Sequence, residues 1–313
     1  MSDLGAATAA EILPGVPGTD RGPADQTEKP RSLFDDAMRD LRRNPLFWVA
    51  CVLCLFVVVM ASFPQLFTSA DPRDCTLSRQ HGGPGGGAFF GFDFQGCDVY
   101  ARTVYGARAS VLVGTFGVAV ATALALAIGM PAGFFGGWID AVLSRLIDIV
   151  LGVPYLLAGI VLAKRLSAGR EDPGIWAVVL VLGILGWTTA ARVIRSTVIS
   201  AKEQDYVAAA RMLGATNWRI MWRHILPNTL APMVVVLTIA LGSFIAVEAT
   251  LSFLGIGLRP PAISWGIDIA TATTHRREAV VPLLAPAGFL ALTVLAFIML
   301  GDAIRDAFDP RLR

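Results

Sequence analysis

The chain has 313 residues, of which 55% are hydrophobic and only 16% are charged, and its formal net charge is +2. Soluble domains carry about 25% charged residues, so this composition argues against an ordinary soluble enzyme or binding domain. A net charge this small gives no reason to expect a nucleic-acid partner.

The N-terminal 45 residues divide into two segments. Residues 1–30 are rich in Ala, Pro, Gly and Asp and lack the apolar run of a signal peptide, which predicts a disordered cytoplasmic tail. Residues 31–45 have charged residues opposite an apolar helical face of Leu33, Phe34, Ala37, Met38 and Leu41. This pattern predicts an amphipathic helix lying on the membrane surface, and the alternative is a solvated linker helix.

Long uncharged runs predict six membrane spans, because a helix needs about 20 apolar residues to cross a bilayer core. The spans are placed at 46–67, 110–133, 144–163, 174–193, 228–250 and 281–301. The third has the shortest uncharged run and reaches spanning length only if Asp148 enters the membrane. Arg39, Arg42 and Arg43 precede the first span, so both termini are expected in the cytoplasm. Residues 46–313 would then be a six-span, lipid-embedded domain of the cell membrane.

The four cysteines divide between the first span and the first outer loop, residues 68–109. Cys51 and Cys54 form a C-x-x-C within the span, where small apolar packing is favoured over a redox or metal role. Cys75 and Cys97 lie on the predicted outer side, which is oxidising, and form either a disulfide or two free thiols. A disulfide would close a loop of about 23 residues and stabilise the fold by about 3 kcal/mol on the chain-entropy estimate.

Cofactor motifs are missing from the sequence. None of its three lysines, Lys29, Lys164 and Lys202, stands in a phosphate-binding G-x-x-x-x-G-K-[ST] loop. The spans contain no group of His, Cys and carboxylate residues at metal-ligand spacing. We therefore expect this chain to bind neither ATP nor a metal.

Two carboxylates fall within predicted spans, where a charge at the bilayer centre costs roughly 2.5–3.5 kcal/mol on insertion scales. Two interpretations of Glu248, near the outer end of span five, remain open: a hydrogen bond to a neighbouring helix, or a place on a water-filled translocation path. For Asp148, an ion pair with Arg145 three residues earlier is the favoured interpretation.

The polar segment Arg195–Pro227 lies between two apolar runs and has helical patterning of its own. Two apolar sets repeat at i, i+3, i+4 and i+7, namely Tyr206, Ala209, Ala210 and Leu213, and then Trp218, Met221, Trp222 and Ile225. Gly214 separates the two predicted helices, and Pro227 ends the second. Thr216 or Asn217 supplies the cap of the second helix. The pattern predicts a helix–turn–helix docking hairpin on the cytoplasmic face.

Four strings along the chain carry a family resemblance. AARMLGATNWRIMWRHILPN, at 209–228, resembles the EAA loop of binding-protein-dependent ABC importer permeases. With it stand VYGARASVLVG (104–114), EATLSFLGIGLRPPAISWG (248–266) and LGDAIRDAFDPRLR (300–313). Together they resemble the C-type permease subunit of the dipeptide/oligopeptide/nickel transporter family. The resemblance implies an all-α integral membrane protein with the type I ABC importer permease fold, here with six transmembrane helices.

The resemblance also implies a role for the hairpin, as the coupling loop 195–227 that docks on a cytosolic ATPase. Ala209, Ala210 and Gly214 match the signature of the family, whereas Ala208 stands where glutamate is typical. The residues expected to couple to the ATPase are Tyr206, Ala208, Ala209, Ala210, Arg211, Leu213, Gly214, Ala215, Thr216, Asn217 and Arg219. In the outer loop, Cys97 replaces an arginine of the family, which together with Cys75 strengthens the disulfide interpretation.

The implied function is that of a non-catalytic permease subunit of an ATP-driven importer of dipeptides or oligopeptides. Its partners would be a homologous second permease, cytosolic ATPase subunits that bind ATP and Mg²⁺, and an extracytoplasmic substrate-binding protein. Two alternatives are a proton-coupled secondary transporter and a non-transporting membrane assembly factor. The first needs a relay of buried ionisable groups, and the second does not explain the capped hairpin.

Overall fold

The computed structural model describes residues 33–166 and 174–308, with side chains from Met38 onward. The predicted tail 1–30 and the last five residues of the chain, 309–313, lie outside the described residues. Within the described part the protein is all-α, as predicted. Its helices are α1 Leu33–Arg43, α2 Pro45–Ser62, α3 Val99–Phe135, α4 Gly137–Gly152, α5 Tyr155–Leu166, α6 Gly174–Lys202, α7 Asp205–Met212, α8 Asn217–Arg219, α9 Leu226–Phe253, α10 Trp265–Thr274 and α11 Val281–Phe308.

Five stretches of helix in the described part are long and apolar enough to cross a membrane. They are α2, α3, α6, the continuous run Asn217–Phe253, and α11. A sixth span is present only if α4 and α5 are taken together. The structure therefore agrees with five or six of the predicted spans, and the third span decides the number.

The third predicted span, 144–163, is not one straight helix. Helices α4 and α5 meet at 91°. Val153 has extended dihedral angles (φ −84°, ψ 125°), because the residue before a proline is disfavoured in the helical region and Pro154 follows it. With 16 and 12 residues, each piece is shorter than a bilayer-spanning helix. The third predicted span is therefore a bent pair of helices, and Pro154 is the reason for the bend.

Helices α3 and α6 form the centre of the fold and run parallel, since Gly117 meets Leu182 and, further along both helices, Gly133 meets Val198. Their backbones approach closely at Gly129, where an added Cβ would lie 2.6 Å from the carbonyl oxygen of Ala191. Small residues permit such contacts between membrane helices. Any larger side chain at Gly129 would therefore separate the two central helices.

The loop end of the molecule comprises residues 63–98 and 254–280. Cys75 and Cys97 form a disulfide there, as the loop cysteines suggested. Trp265, at the start of α10, is fully buried, and its indole N–H donates to the carbonyl oxygen of Thr103 at 2.8 Å. Arg102 forms an ion pair with Asp268 of α10. The disulfide thus closes the loop end on itself, and the buried Trp265 ring and the Arg102–Asp268 pair tie it to the helical body.

Helix α1 forms where the amphipathic segment predicted it. Its Leu41 is buried against Ala307 of α11. This contact fixes α1 next to the last helix of the bundle, and its position on a membrane surface stays a prediction.

Candidate functional site

The hairpin end comprises residues 203–225, between α6 and α9, and its turn is built as the sequence predicts. Gly214 has a φ of +78°, in the left-handed region that favours glycine. The Thr216 hydroxyl accepts a hydrogen bond from the backbone N–H of Arg219 at 3.4 Å. Thr216 is therefore the N-cap of the second arm of the hairpin, residues 217–225, and α7 is the first arm. The turn therefore depends on a glycine that tolerates a positive φ, and the start of the second helix depends on a hydroxyl that accepts a backbone N–H.

The first arm, α7, is held to the body by a narrow line of residues. Val207 and Ala210 are its buried side chains. Three members of the predicted apolar stripe point away instead: Tyr206 is 38% exposed, Leu213 is 88% exposed, and Ala209 is also exposed. Most of the stripe that the periodicity identified is thus an uncovered apolar surface.

The second arm continues without interruption into α9, and the prediction that Pro227 ends it is wrong. Residues Ile220–Ile225 form a π-helical segment, in which the Leu226 N–H donates to the carbonyl oxygen of Met221. Pro227 follows in the first turn of α9, where its missing N–H is tolerated. The Asn228 side chain donates to the carbonyl oxygen of His224 at 2.7 Å. The register shift and this side-chain bond let the helix pass through the proline.

The hairpin end carries an exposed apolar tip. This tip is formed by Tyr206, Met212, Leu213, Trp218 and Trp222. Met212 and Leu213 are 84% and 88% exposed, and the rings of Trp218 and Trp222 pack against each other at 5.3 Å. Of the other predicted coupling residues, Ala208, Gly214, Asn217 and Arg219 are exposed, Ala210 is buried and Ala215 is half-buried. The hairpin thus presents a concentrated surface of large apolar side chains.

Arg211 occupies a different place from its predicted coupling neighbours. Its guanidinium lies over the ring of Phe134 on α3, 5.8 Å from the ring centroid. A cation–π contact of this kind stabilises by about 0.5–1 kcal/mol at exposed sites. Arg211 therefore also fixes the hairpin to the central helix.

A second candidate region is a cavity of about 640 Å³ beside the break between α4 and α5. Helices α3, α6 and α9 complete its walls, and its lining is apolar except for Tyr155, Thr188, Thr189 and Ser243. No charged residue belongs to this lining. The cavity has the size and mixed character of a small-molecule site.

Glu248, on α9, does not line the cavity but faces α3. It is fully buried and accepts hydrogen bonds from the Ser110 hydroxyl at 2.7 Å and the Ser252 hydroxyl at 2.8 Å. Sequence reasoning missed both serines, although Ser252 stands one helical turn after Glu248. The two bonds satisfy both carboxylate oxygens of Glu248.

Asp148 pairs with Arg192 of α6, through Nη2 and Oδ1 at 2.6 Å, and not with Arg145 as the sequence suggested. A second pair, between Asp140 and Arg195, joins the same two helices. The residues of these pairs are 44 and 55 positions apart, so no local spacing could reveal them. The correction matters because these pairs connect α4 to the centre of the fold.

The described residues offer no metal site. No group of three or more His, Cys, Asp or Glu side chains there could hold a metal ion.

Family models match two stretches of the chain. A model for the binding-protein-dependent transport system inner membrane component matches residues 125–313. A model for the N-terminal TM domain of oligopeptide transport permease C matches residues 32–81.

Curated relatives match over nearly their full length. The dipeptide transport system permease protein DppC of Bacillus subtilis (strain 168) is 35% identical over 298 residues, covering 93% of this chain and 90% of the relative. The oligopeptide transport system permease protein OppC of the same organism is 33% identical over 287 residues, covering 92% of each chain.

Two solved structures share the fold. An amino acid ABC transporter with histidines aligns with a TM-score of 0.51 at 20% identity, over 64% of this chain and 91% of that chain. The MetNI methionine ABC transporter, in inward facing conformations, aligns with a TM-score of 0.52 at 19% identity, over 66% and 96%. At this identity the likeness concerns the fold alone.

Proposed function

The chain belongs to the family of binding-protein-dependent transport system inner membrane components, as a C-type permease subunit of peptide ABC importers, and on this premise we propose that it carries dipeptides or oligopeptides. The subunit is a non-catalytic membrane component of its importer. Neither a proton-coupled secondary transporter nor an assembly factor is favoured.

The exposed apolar tip carries the proposal for the energy-supplying partner. Monomeric surfaces rarely leave large apolar side chains such as Leu213 and Trp218 together in solvent unless a partner covers them. We expect the tip to dock in a groove on a cytosolic ATPase subunit that binds ATP and Mg²⁺. Exposed Arg219 and Arg223 beside the tip would complement acidic groups on that partner.

Movement would pass from the docked hairpin into the membrane through one continuous helix. Residues Asn217–Phe253 form an unbroken run of 37 residues, which at 1.5 Å per residue is about 55 Å long. A displacement of the tip would therefore displace α9, which forms part of the cavity wall through Val236, Ser243 and Val247. This is a rigid-body route from ATPase closure to a change of access.

The faces left open support the proposed places of the remaining partners. The cavity beside α4 and α5 would be closed by a homologous second permease, so that the path runs between the two subunits. With both termini in the cytoplasm, the hairpin end lies inside and the loop end outside. The loop end, firmly held by its disulfide, would then receive the substrate-binding protein. Lipid surrounds the other apolar helix faces, such as that of α2 with Val52 and Leu55.

Peptides are the substrate class that the relatives' names support, since these relatives are dipeptide and oligopeptide permeases. The cavity agrees with this class, because apolar walls accept varied side chains and its hydroxyl groups can bond peptide amides. For Glu248 we propose the helix-tying interpretation, because both of its oxygens are already bonded to serines.

Gly214→Val tests the docking role of the hairpin. Valine is strained at a φ of +78°, so the turn should be distorted although the space around it is open. We expect ATP-driven peptide uptake by the reconstituted complex to fall about tenfold or more, with the purified subunit still folded. Gly288→Val is the matched control, because that glycine on α11 also has open space and no positive φ. Unchanged uptake by Gly214→Val would refute the docking role.

A further inference from the structure

The two ion pairs between α4 and α6 differ in how fully each arginine is used. Arg195 contacts Asp140 through Nε at 2.5 Å and Nη2 at 2.6 Å, and Ser144 donates a further hydrogen bond to the same carboxylate. Arg192 contacts Asp148 through Nη2 alone, at 2.6 Å. A guanidinium carries five N–H donors. Within the described contacts, Arg192 therefore retains donors that Arg195 has committed.

The Asp148–Arg192 pair is also the more exposed of the two. Its side chains are 51% and 55% exposed, against 22% and 32% for Asp140 and Arg195. Both residues lie on helices that contribute to predicted spans. Asp148 lies near the start of one predicted span and Arg192 near the end of another, where charged side chains face the aqueous interface, a water-filled cavity or another protein surface, because exposure to the lipid interior is costly. The exposed side of this pair therefore faces water or protein.

Neither member of the pair lines the cavity of about 640 Å³, but each lies one helical turn from residues that do: Asp148 from Leu151 and Gly152 on α4, and Arg192 from Thr188 and Thr189 on α6. Tyr155 belongs to the cavity lining, but its hydroxyl is buried away from the open space and has no hydrogen-bond partner among the described residues. The cavity thus combines uncharged walls with one charged pair near its edge.

We propose that Arg192 binds the C-terminal carboxylate of the transported peptide in exchange for the carboxylate of Asp148. This inference rests on the proposed peptide transport. One carboxylate replaces another, so the guanidinium keeps a charge-assisted hydrogen bond before and after the exchange. The α-carboxylate is common to all peptides, whereas their side chains vary. A site for it suits a carrier of peptides of many sequences, with Asp148 as the partner of Arg192 when the cavity is empty.

Direct binding to the complete complex tests this assignment, with the chain assembled with its partner subunits in lipid nanodiscs. Equilibrium dialysis without ATP or binding protein would measure the affinities for trialanine and for its C-terminal amide. We expect the wild-type complex to bind the acid about tenfold more tightly than the amide, and Arg192→Gln to lose this difference. Asp148→Asn should bind the acid more tightly than wild type, because the internal competitor is gone.

The control is Arg195→Gln, which removes the neighbouring arginine. It should leave the ratio of the affinities for trialanine and its C-terminal amide unchanged. A wild-type complex that binds both peptides equally or binds neither, or an Arg192→Gln complex that keeps the preference, would overturn the assignment. Equal weakening of acid binding by Asp148→Asn and Arg192→Gln would show instead that the pair only ties α4 to α6.

ATP-driven uptake of trialanine with the binding protein present reports on the proposed function independently. Uptake without an acid–amide difference in binding overturns this inference alone, whereas absence of any peptide uptake overturns the proposed function.

Discussion

The loop end and the hairpin end of the molecule are stabilised in opposite ways. At the loop end a disulfide, the fully buried Trp265 and the Arg102–Asp268 pair fix a segment with little regular structure. At the hairpin end two regular helical arms leave Leu213 and Met212 almost completely exposed. The loop end is stabilised within one chain, whereas the hairpin end leaves large apolar side chains uncovered. Under the proposed function, the difference would separate a surface that receives the binding protein from a surface that the ATPase moves.

Arg102→Ala at the loop end should cause the largest loss of stability among the variants considered. Arg102 lies between Asp268 and Asp93, with its Nε 3.8 Å from an oxygen of Asp93. Removing it leaves Asp268 buried without its charge partner, so we expect a loss of about 3–5 kcal/mol in unfolding free energy. Thermal unfolding of the purified protein measures this loss. Arg79→Ala is the control, because its pair with Asp74 is exposed and contributes at most about 1 kcal/mol.

The same variant should be sensitive to pH in a defined direction. Burial raises the pKa of Asp268 above its ordinary value, and the charge of Arg102 opposes that rise. Without Arg102 the folded protein favours the protonated carboxyl, which stabilises it below the unfolded-state pKa and is lost as the pH rises. The defect of Arg102→Ala should therefore be smaller at about pH 5 than at about pH 8. An equal defect at both values would contradict a role for this charge.

Leu213→Asp should leave folding intact and remove partner binding. Leu213 is 88% exposed, so the free subunit loses little on substitution. A charged residue at the centre of the docking surface should cost about 2 kcal/mol or more of binding free energy, roughly a thirtyfold weaker complex. Co-purification of the ATPase subunit gives the readout.

Leu77→Asp at the loop end is the matched control for Leu213→Asp, with an exposed fraction of 72%. Normal ATPase retention by Leu213→Asp, or equal loss by Leu77→Asp, would place the docking surface elsewhere.

Glu248→Gln should have the smallest effect. Glutamine keeps the shape of the side chain and can still accept a hydrogen bond from Ser110 or Ser252, so we expect a stability change of about 1 kcal/mol and near-normal uptake. Uptake per folded complex separates the two roles. A strong loss of uptake with normal folded yield would show that Glu248 belongs to the path.

Features determined by local chemistry were predictable from the sequence. Long apolar runs identified the spans because the bilayer requires a minimum length. Gly214 and Thr216 identified the turn because each meets a conformational need of its own position. Pro154 carries an equally local signal for the break in the third span, but the span is placed from the length of its uncharged run alone.

Features determined by partners distant in sequence were not predictable. The pairing of Asp148 with Arg192 depends on how α4 packs on α6, and no spacing rule contains that information. Apolar periodicity identified the stripe on α7, but it could not tell which of its side chains the chain itself covers. Val207 holds α7 to the body, while Leu213 stays uncovered. The π-helical segment also escaped prediction, because a shift in backbone hydrogen bonding leaves no pattern in side-chain polarity.

The bond between Cys75 and Cys97 has a consequence for biogenesis. With the orientation proposed here, residues 63–98 must cross the bilayer as an open thiol-bearing chain before the bridge can form, because the cytosol keeps thiols reduced. Helices α2 and α3 therefore insert first, and the segment between them matures afterwards under the oxidants of the far compartment. A cell that lacks such oxidants would insert the helices correctly and still leave the loop end without its covalent bridge.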